Sequence, residues 1–213
     1  MTRPYPAFLR LYGRPVLVAG GGTAALQRAI ALGEAGARIT VVGRDMHPDM
    51  ENVPGVERII RRPFKASDMT RGPGGRRPRL VVACSDEATN LLTARAAERA
   101  GIWTAVPTSP ALGSFILPAV AREGATTFAV GAGGGGPILE KFLAGRLASA
   151  FGPSVSALVK ALRTLSPRLK ALPLPVRNRI IEALLDRAAL GGFRPRDGTR
   201  LSREIQRAMR TSK

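Results

Sequence analysis

VLVAGGGTAA, residues 16–25, is the stretch of sequence that decides the fold. It opens with four apolar residues, turns at three consecutive glycines and continues into small residues that favour a helix. A short apolar run that ends at a glycine turn is typical of a buried parallel strand. The order of strand, glycine turn and helix therefore predicts an α/β chain built on a parallel sheet.

The segments on either side continue this alternation as far as residue 106. Besides the strand at 16–19, we expect helices over Thr23–Gly36 and Asp86–Ala100, and strands over 37–42, 56–60, 80–84 and 102–106, with Trp103 in the core and a loop over 71–79. Strands and helices at this spacing indicate right-handed crossovers within one parallel sheet, which is a Rossmann-type arrangement.

The rest of the chain predicts a smaller helical part. We expect a strand over Thr126–Val130, a helix over 138–150, two helices within 154–190 separated at Pro173 and Pro175, and a short last helix over Ser202–Met209. This divides the chain into a nucleotide-binding Rossmann domain at 1–113, a small central region at 114–150 and a basic helical C-terminal region at 151–213.

Charge and composition restrict the function classes. The 213 residues include 33 basic and 15 acidic side chains, a formal charge of +18, and residues 151–213 carry 14 basic against four acidic residues. This excess has three readings: a compositional bias of the genome, a nucleic-acid partner or a highly anionic small molecule. The single cysteine, Cys84, and single histidine, His47, exclude an internal disulfide and a metal site built from several such side chains.

No apolar run approaches the length of a membrane span, and the N-terminal residues lack a signal-peptide pattern. We therefore expect a cytoplasmic protein with no membrane partner.

The glycine turn fits the pattern G-x-G-x-x-A at Gly20, Gly22 and Ala25. The first glycine permits the tight turn, the second lets backbone N–H groups approach a pyrophosphate, and the helix start supplies partial positive charge. The strand over 37–42 is followed by Gly43, Arg44 and Asp45. Asp45 is a candidate partner of ribose hydroxyls, while Arg44 faces either a 2′-phosphate or solvent. The residues alone leave NAD and NADP open.

Four segments in order extend this pattern. They are Val18–Gly22 with Ala25 and Arg28, Ala83–Asp86 with Asn90, Gly113–Ala119, and the glycine-rich turn within 129–139. Over about residues 5–190 the chain resembles the precorrin-2 dehydrogenases of siroheme synthesis, including the N-terminal module of bifunctional siroheme synthases.

The resemblance implies a homodimeric enzyme, joined through 114–150, that oxidises precorrin-2 to sirohydrochlorin with NAD. Such a tetrapyrrole is a polycarboxylate, which suits a basic protein. Carried onto this sequence, the cofactor would be bound by Gly20, Gly21, Gly22, Thr23, Ala24, Gly43, Arg44, Asp45, Ser85 and Asp86, and the substrate by Arg28, Ser114, Gly133, Gly134 and Lys141.

The chain also departs from the family. Thr108 stands where the family has an acid proposed to handle protons or metal, and Ala105 replaces the accompanying asparagine. The hydroxyl-bearing turn has become Gly131-Ala132 and Gly136. A threonine hydroxyl cannot act as a base near neutral pH, so Thr108 is a weak catalytic candidate. We expect slower dehydrogenation, no resident metal and no metal insertion.

Two other function classes stay open. The first is a non-catalytic or altered family member that binds a nucleotide or tetrapyrrole for regulation or delivery. The second, which the sequence favours least, is a nucleic-acid binder. That function calls for aromatic residues among the basic ones, yet 151–213 contains only Phe151 and Phe193.

Overall fold

The computed structural model describes residues 3–70, 75–170 and 172–189, together with residues 203, 206 and 210. The chain forms two compact units, Met1–Leu117 and Pro118–Lys213. Residues 203, 206 and 210 are helical, while the other positions of the predicted last helix, Ser202–Met209, lie outside the described residues, as do 71–74 of the predicted loop.

The first unit contains a five-stranded parallel sheet with flanking helices. Its strands are β1 (Pro15–Ala19), β2 (Arg38–Gly43), β3 (Val56–Arg61), β4 (Leu80–Ala83) and β5 (Trp103–Ala105), in the spatial order β3-β2-β1-β4-β5. Two helices, α1 (Thr23–Glu34) and α2 (Glu87–Ala100), follow β1 and β4. The predicted parallel α/β, Rossmann-type fold is confirmed, and every strand pair in this sheet is parallel.

The core lies on both faces of this sheet. In β1, Val16 and Val18 pack on the face that contacts α1, and Leu17 and Ala19 pack on the opposite face. Successive side chains of a strand alternate between faces, so a strand covered on both sides must be apolar throughout. This explains the continuous apolar run of the sequence.

Strand β1 is central because the chain crosses from one side of it to the other between β3 and β4. At such a crossover the loops beyond the carboxyl ends of the two neighbouring strands diverge and leave a crevice. The loops after β1, β2, β4 and β5 all leave the sheet at this carboxyl edge, so they can share one site. Short 3-10 turns stand at Pro48–Asn52, Ala66–Met69 and Pro110–Leu112.

The second unit contains an antiparallel hairpin and two helices. The hairpin pairs β6 (Ala119–Glu123) with β7 (Thr126–Val130), and the helices are α3 (Pro137–Lys170) and α4 (Leu174–Ala189). Strand β6 was missed by the sequence analysis because its residues, AVARE, mix apolar and charged side chains. The two-residue connection at Gly124 and Ala125, where Gly124 has φ +55°, is the signal that indicates a hairpin.

The predicted end of a helix near residue 150 is wrong, because α3 is continuous through 34 residues. Close packing accounts for the glycine inside this helix: a β-carbon at Gly152 would lie 2.6 Å from the Cγ of Glu123 on β6. The glycine thus allows the hairpin to approach the helix closely and does not end it. The predicted break around Pro173 is confirmed by the gap between α3 and α4.

The prediction that Trp103 belongs to the core is also wrong, since its side chain is 56% exposed. Trp103 begins β5, which is the edge strand of the sheet and pairs with β4 alone. An edge strand is covered by neighbours on one side only, so an apolar residue at its end can face solvent.

Candidate functional site

The glycine turn between β1 and α1 is held by tight backbone packing. The Gly20 N–H donates to the carbonyl oxygen of Val42 at 2.8 Å, and a β-carbon on Gly20, whose φ is +125°, would overlap the carbonyl of Cys84. A β-carbon on Gly21 would overlap the carbonyl of Asp45. The first two glycines are therefore required by the fold itself.

Gly22 differs from the two glycines before it. It precedes α1 with an extended backbone, and among the described residues no heavy atom lies within 4 Å of a β-carbon built there. Among the described residues, no side chain caps the N-terminus of α1, and the first turn of this helix contains no acidic residue. The first N–H groups of a helix need partners, and together with the helix dipole they favour an anion. The open space at Gly22 fits a phosphate group.

The end of β2 lies beside this turn. A β-carbon on Gly43 would lie 2.9 Å from the Gly21 nitrogen, so this glycine also serves close packing. The next two residues, Arg44 and Asp45, are exposed. They stand at the position where a ribose or its phosphate is recognised in Rossmann-type folds.

The loop after β4 is held by hydrogen bonds of the N-cap residue Asp86 and of Asn90 on α2. The Asp86 carboxylate accepts hydrogen bonds from the Thr89 backbone N–H at 2.8 Å and from the Thr89 hydroxyl at 2.9 Å, which lower the pKa of Asp86. Asn90 is buried, and its amide bonds both peptide groups of Ser85 at 2.9 Å. Asp86 is therefore the N-cap of α2, and Ser85 has a fixed backbone.

A recess opens between these strand ends. It is lined by Ala24, Gln27, Arg28, Ala83, Cys84, Ser85, Pro107 and Thr108. Burial raises the pKa of the Cys84 thiol to about 11, although the guanidinium of Arg28 lowers it slightly. The thiol is therefore neutral at physiological pH. Arg28 brings a positive charge, and Ser85 and Thr108 bring hydroxyl groups.

The structure brings together many of the residues that the sequence singled out. Four of them, Ala24, Arg28, Ser85 and Thr108, line the recess. Ser114 belongs to the same unit, but its hydroxyl accepts from the Thr104 backbone N–H at 2.8 Å and thereby supports β5. Three predicted substrate residues, Gly133, Gly134 and Lys141, lie in the second unit.

The glycine-rich turn that precedes α3 in the second unit has a distinct backbone geometry. Gly133 and Gly134 have φ of +58° and +104°, which favours glycine at both positions. Within the described residues, neither would contact a heavy atom within 4 Å through an added β-carbon. The Glu140 carboxylate accepts from the Ala132 N–H at 2.8 Å, and Lys141, the fifth residue of α3, is exposed.

Gln27, Pro107 and Asn90 were not predicted as site residues. Gln27 follows Ala24 by three positions and precedes Arg28, so the helical period placed it on the same face of α1 as Ala24. Asn90 follows the cap Asp86 by four residues, which also puts both on one side of α2. These spacings were the available signals.

Among residues 3–70, 75–170, 172–189 and the three described tail positions, no group of three His, Cys, Asp or Glu side chains is placed to hold a metal ion. Within the same residues, no helix is long and apolar enough to cross a membrane.

Comparisons with known proteins agree with this geometry. A family described as putative NAD(P)-binding matches residues 7–119. The siroheme synthase of Ectopseudomonas mendocina (strain ymp) is 30% identical over 205 residues, which are 93% of this chain and 43% of that protein. The siroheme synthase of Tolumonas auensis is 34% identical over 142 residues, 67% of this chain and 29% of that protein. The chain thus spans less than half the length of these relatives.

One solved structure is similar in fold along nearly the whole chain. It is described as SirC, precorrin-2 dehydrogenase, and matches with a TM-score of 0.68 at 22% identity, covering 94% of this chain and 99% of that one. At this identity the match concerns the fold, including both units.

Proposed function

This chain belongs to the family of precorrin-2 dehydrogenases and siroheme synthase N-terminal modules, and from this premise we propose that it oxidises precorrin-2 to sirohydrochlorin with NAD. The observation that carries the proposal is the uncapped start of α1 at Gly22, which opens beside a recess containing Arg28 and Thr108.

The cofactor is proposed to lie along the carboxyl edge of the sheet. The backbone N–H groups of Thr23 and Ala24 would donate to the pyrophosphate, and Asp45 would accept hydrogen bonds from the ribose hydroxyls. When bound, NAD supplies an acceptor for the hydride. Arg44 would instead suit the 2′-phosphate of NADP, so titrations with both nucleotides are part of the test. Ser85 and Asp86 border the nicotinamide end.

The substrate is proposed to bind through its carboxylates. Arg28 lines the recess, and a guanidinium pairs a carboxylate through two parallel hydrogen bonds. Lys141, Gly133 and Gly134 of the second unit remain further proposed substrate contacts. This assignment gives the positive charge of the chain a role in binding a polyanionic small molecule.

The oxidation removes a hydride and a proton from the substrate. Thr108 is exposed, and a threonine hydroxyl does not accept a proton near neutral pH. The proton therefore leaves to solvent, and we propose a turnover slower than an acid-bearing site would give.

The decisive experiment is anaerobic incubation of the protein with precorrin-2 and NAD, followed by absorbance. The proposal requires the sirohydrochlorin spectrum to appear at a rate that scales with protein concentration. The matched control is Gly22→Asp, which should not turn over. A rate equal to that without protein would contradict the proposal.

A second candidate function rests on Thr108. If the replacement of the family acid by Thr108 has abolished turnover, the protein binds a nucleotide or tetrapyrrole for regulation or delivery. Spectroscopic titration with sirohydrochlorin distinguishes the two functions. Micromolar binding without oxidation of precorrin-2 would favour the binding role. We also propose no metal insertion, so cobalt uptake by sirohydrochlorin should proceed at its uncatalysed rate.

We further propose a homodimer. Apolar side chains of the second unit are exposed on α3 and β6, among them Ile138 at 87% and Phe142 at 61%. Several large apolar side chains exposed on one helix favour an association site, since large exposed apolar patches mark such sites. Light scattering should give twice the monomer mass of 22.5 kDa, and Phe142→Arg should shift the protein toward monomer. A wild-type monomer at tens of micromolar would refute this.

A further inference from the structure

Thr108 and Asn90 form a pair whose hydrogen-bond polarity can be read from the structure. Asn90 lies on the first turn of α2 and is only 2% exposed, one of four buried polar residues in the described parts of the chain. Its side-chain amide has three partners. Oδ1 accepts from the Ser85 N–H at 2.9 Å, and Nδ2 donates to the Ser85 carbonyl at 2.9 Å and to the Thr108 Oγ1 at 3.3 Å.

This arrangement leaves one orientation for the amide. The Ser85 N–H requires an acceptor and the Ser85 carbonyl requires a donor, so the oxygen and nitrogen of Asn90 cannot be exchanged. One Nδ2 hydrogen serves the Ser85 carbonyl, and the other points at Thr108. The Thr108 oxygen is consequently the acceptor in this contact, and its own hydrogen remains available to donate.

The available hydrogen belongs to a residue that lines the recess. Thr108 is exposed, Arg28 lines the same recess, and in the described part of the chain Asn90 is the one hydrogen-bond partner of Thr108. A recess lined by a hydroxyl donor and a guanidinium is suited to an anionic oxygen, because both groups donate and neither accepts a proton. A carboxylate of the substrate meets that description.

We propose that Thr108 donates a hydrogen bond to a substrate carboxylate, and that Asn90 is the positioning residue that holds the threonine in this polarity. This inference rests on the proposed oxidation of a polycarboxylate tetrapyrrole and deepens it. The position acts in substrate recognition and not in proton transfer. Asn90 additionally joins the loops after β4 and β5, because Ser85 and Thr108 follow these two strands.

The test compares variants that keep or remove the hydroxyl. Thr108→Val preserves the shape of the side chain without a donor, and Thr108→Ser preserves the donor. We expect Thr108→Val to raise the KM for precorrin-2 and the Kd for sirohydrochlorin about tenfold or more, as expected for a lost hydrogen bond to a charged group. The Kd for NAD should change less than about twofold, and kcat should fall less than KM rises. Thr108→Ser should stay close to wild type.

The positioning role of Asn90 is tested by a double-mutant cycle with Thr108. In Asn90→Asp the carboxylate cannot donate, so the Thr108 hydroxyl turns toward it and leaves the recess. This variant should raise the KM for precorrin-2 as Thr108→Val does, and the double variant should be no worse than the more affected single one. A purely structural role of Asn90 would instead give additive effects. Thr93→Val is the matched control. It removes a buried hydroxyl from α2 that bonds the Thr89 carbonyl, and it should lower Tm without changing KM.

The outcomes separate this inference from the proposed function. If the wild type oxidises precorrin-2 but Thr108→Val and Thr108→Ser have equal KM and Kd, the donor role is wrong and the enzymatic function stands. If the effect of Thr108→Val falls on the Kd for NAD, the hydroxyl serves the cofactor and the inference is likewise wrong. If the wild type neither oxidises precorrin-2 nor binds sirohydrochlorin, both proposals fail.

Discussion

Gly22 allows nucleotide affinity to be separated from fold stability. Its backbone is extended at φ −78°, and no heavy atom among the described residues would contact an added β-carbon. Aspartate is also a better N-cap than glycine, by a few tenths of a kcal/mol. We therefore expect Gly22→Asp to have an unchanged or slightly higher Tm and to lose NAD binding through steric block and charge repulsion.

Calorimetric titration with NAD measures the loss, and differential scanning calorimetry measures Tm. Gly22→Asn is the control, because it caps the helix without a charge and so separates repulsion from steric block. Equal NAD affinity in wild type and Gly22→Asp would mean that the cofactor lies elsewhere.

The reactivity of the Cys84 thiol measures the burial of this part of the recess, and the measurement needs no substrate. Burial raises its pKa from 9.0 to about 11, so at pH 8 the thiolate fraction falls by about two orders of magnitude. We expect alkylation by iodoacetamide to be correspondingly slow and to keep rising beyond pH 10. Mass spectrometry of time points from pH 7 to 11 measures this, with the denatured protein as the reference for an ordinary thiol. Rapid labelling at pH 8 would contradict the buried environment.

At the scale of elements, the chain from β1 to α1 could be predicted closely from sequence. Its strand is apolar at every position, and its glycines are required by backbone overlap with Cys84 and Asp45. The local sequence and the tertiary packing therefore demand the same residues there. Asp86, with which the predicted helix Asp86–Ala100 begins, is the N-cap of α2.

The errors arise where tertiary packing decides. Gly152 has the sequence signature of a helix end, but its role is to admit Glu123 of a strand 29 positions earlier. Trp103 has a core-like side chain, but its exposure depends on β5 being an edge strand. The hydrogen bonds of Asn90 to Ser85 and Thr108 join residues up to 18 positions apart, and they form only when the sheet is complete. None of these contacts is encoded within a local window.

Two glycines of α3 give a matched test of this interpretation. An added β-carbon at Gly152 would lie within 2.7 Å of the Cβ and Cγ of Glu123, whereas at the exposed Gly145 it would meet no described heavy atom within 4 Å. Gly145→Ala should stabilise the protein by about 0.5–1 kcal/mol through helix propensity. Gly152→Ala should destabilise it by about 1–3 kcal/mol, as overpacking does. Urea unfolding measures both, and a stabilising Gly152→Ala would refute the close packing of β6 on α3.

At the scale of the whole molecule, the net charge of +18 is the feature to be explained. The proposed polycarboxylate substrate requires positive charge near the recess, but it does not explain the basic residues elsewhere on the chain. A nucleic-acid partner would instead use charge wherever it is exposed, with an affinity that falls steeply as salt displaces released counterions. The C-terminal residues from Arg194 distinguish the two, because they carry seven basic against two acidic residues.

Deletion of Arg194–Lys213 should leave precorrin-2 turnover nearly intact and should lower only the retention of duplex DNA at low salt. Turnover and fluorescence anisotropy of labelled DNA across a salt series measure the two effects. The matched control substitutes the seven basic residues by glutamine in the full-length chain. Tight duplex binding at physiological salt that disappears with the deletion, together with no tetrapyrrole binding, would establish the nucleic-acid function instead.

Strand β1 occupies the centre of the sheet although, of the five strands of that sheet, it is the first to be synthesised. Its β2 side is paired once the chain reaches Gly43, but its β4 side stays open until Ala83 has been synthesised. During that interval the nascent chain exposes an unpaired apolar edge, which is a template for intermolecular pairing. Arrest of translation between these two positions should therefore yield an aggregation-prone fragment.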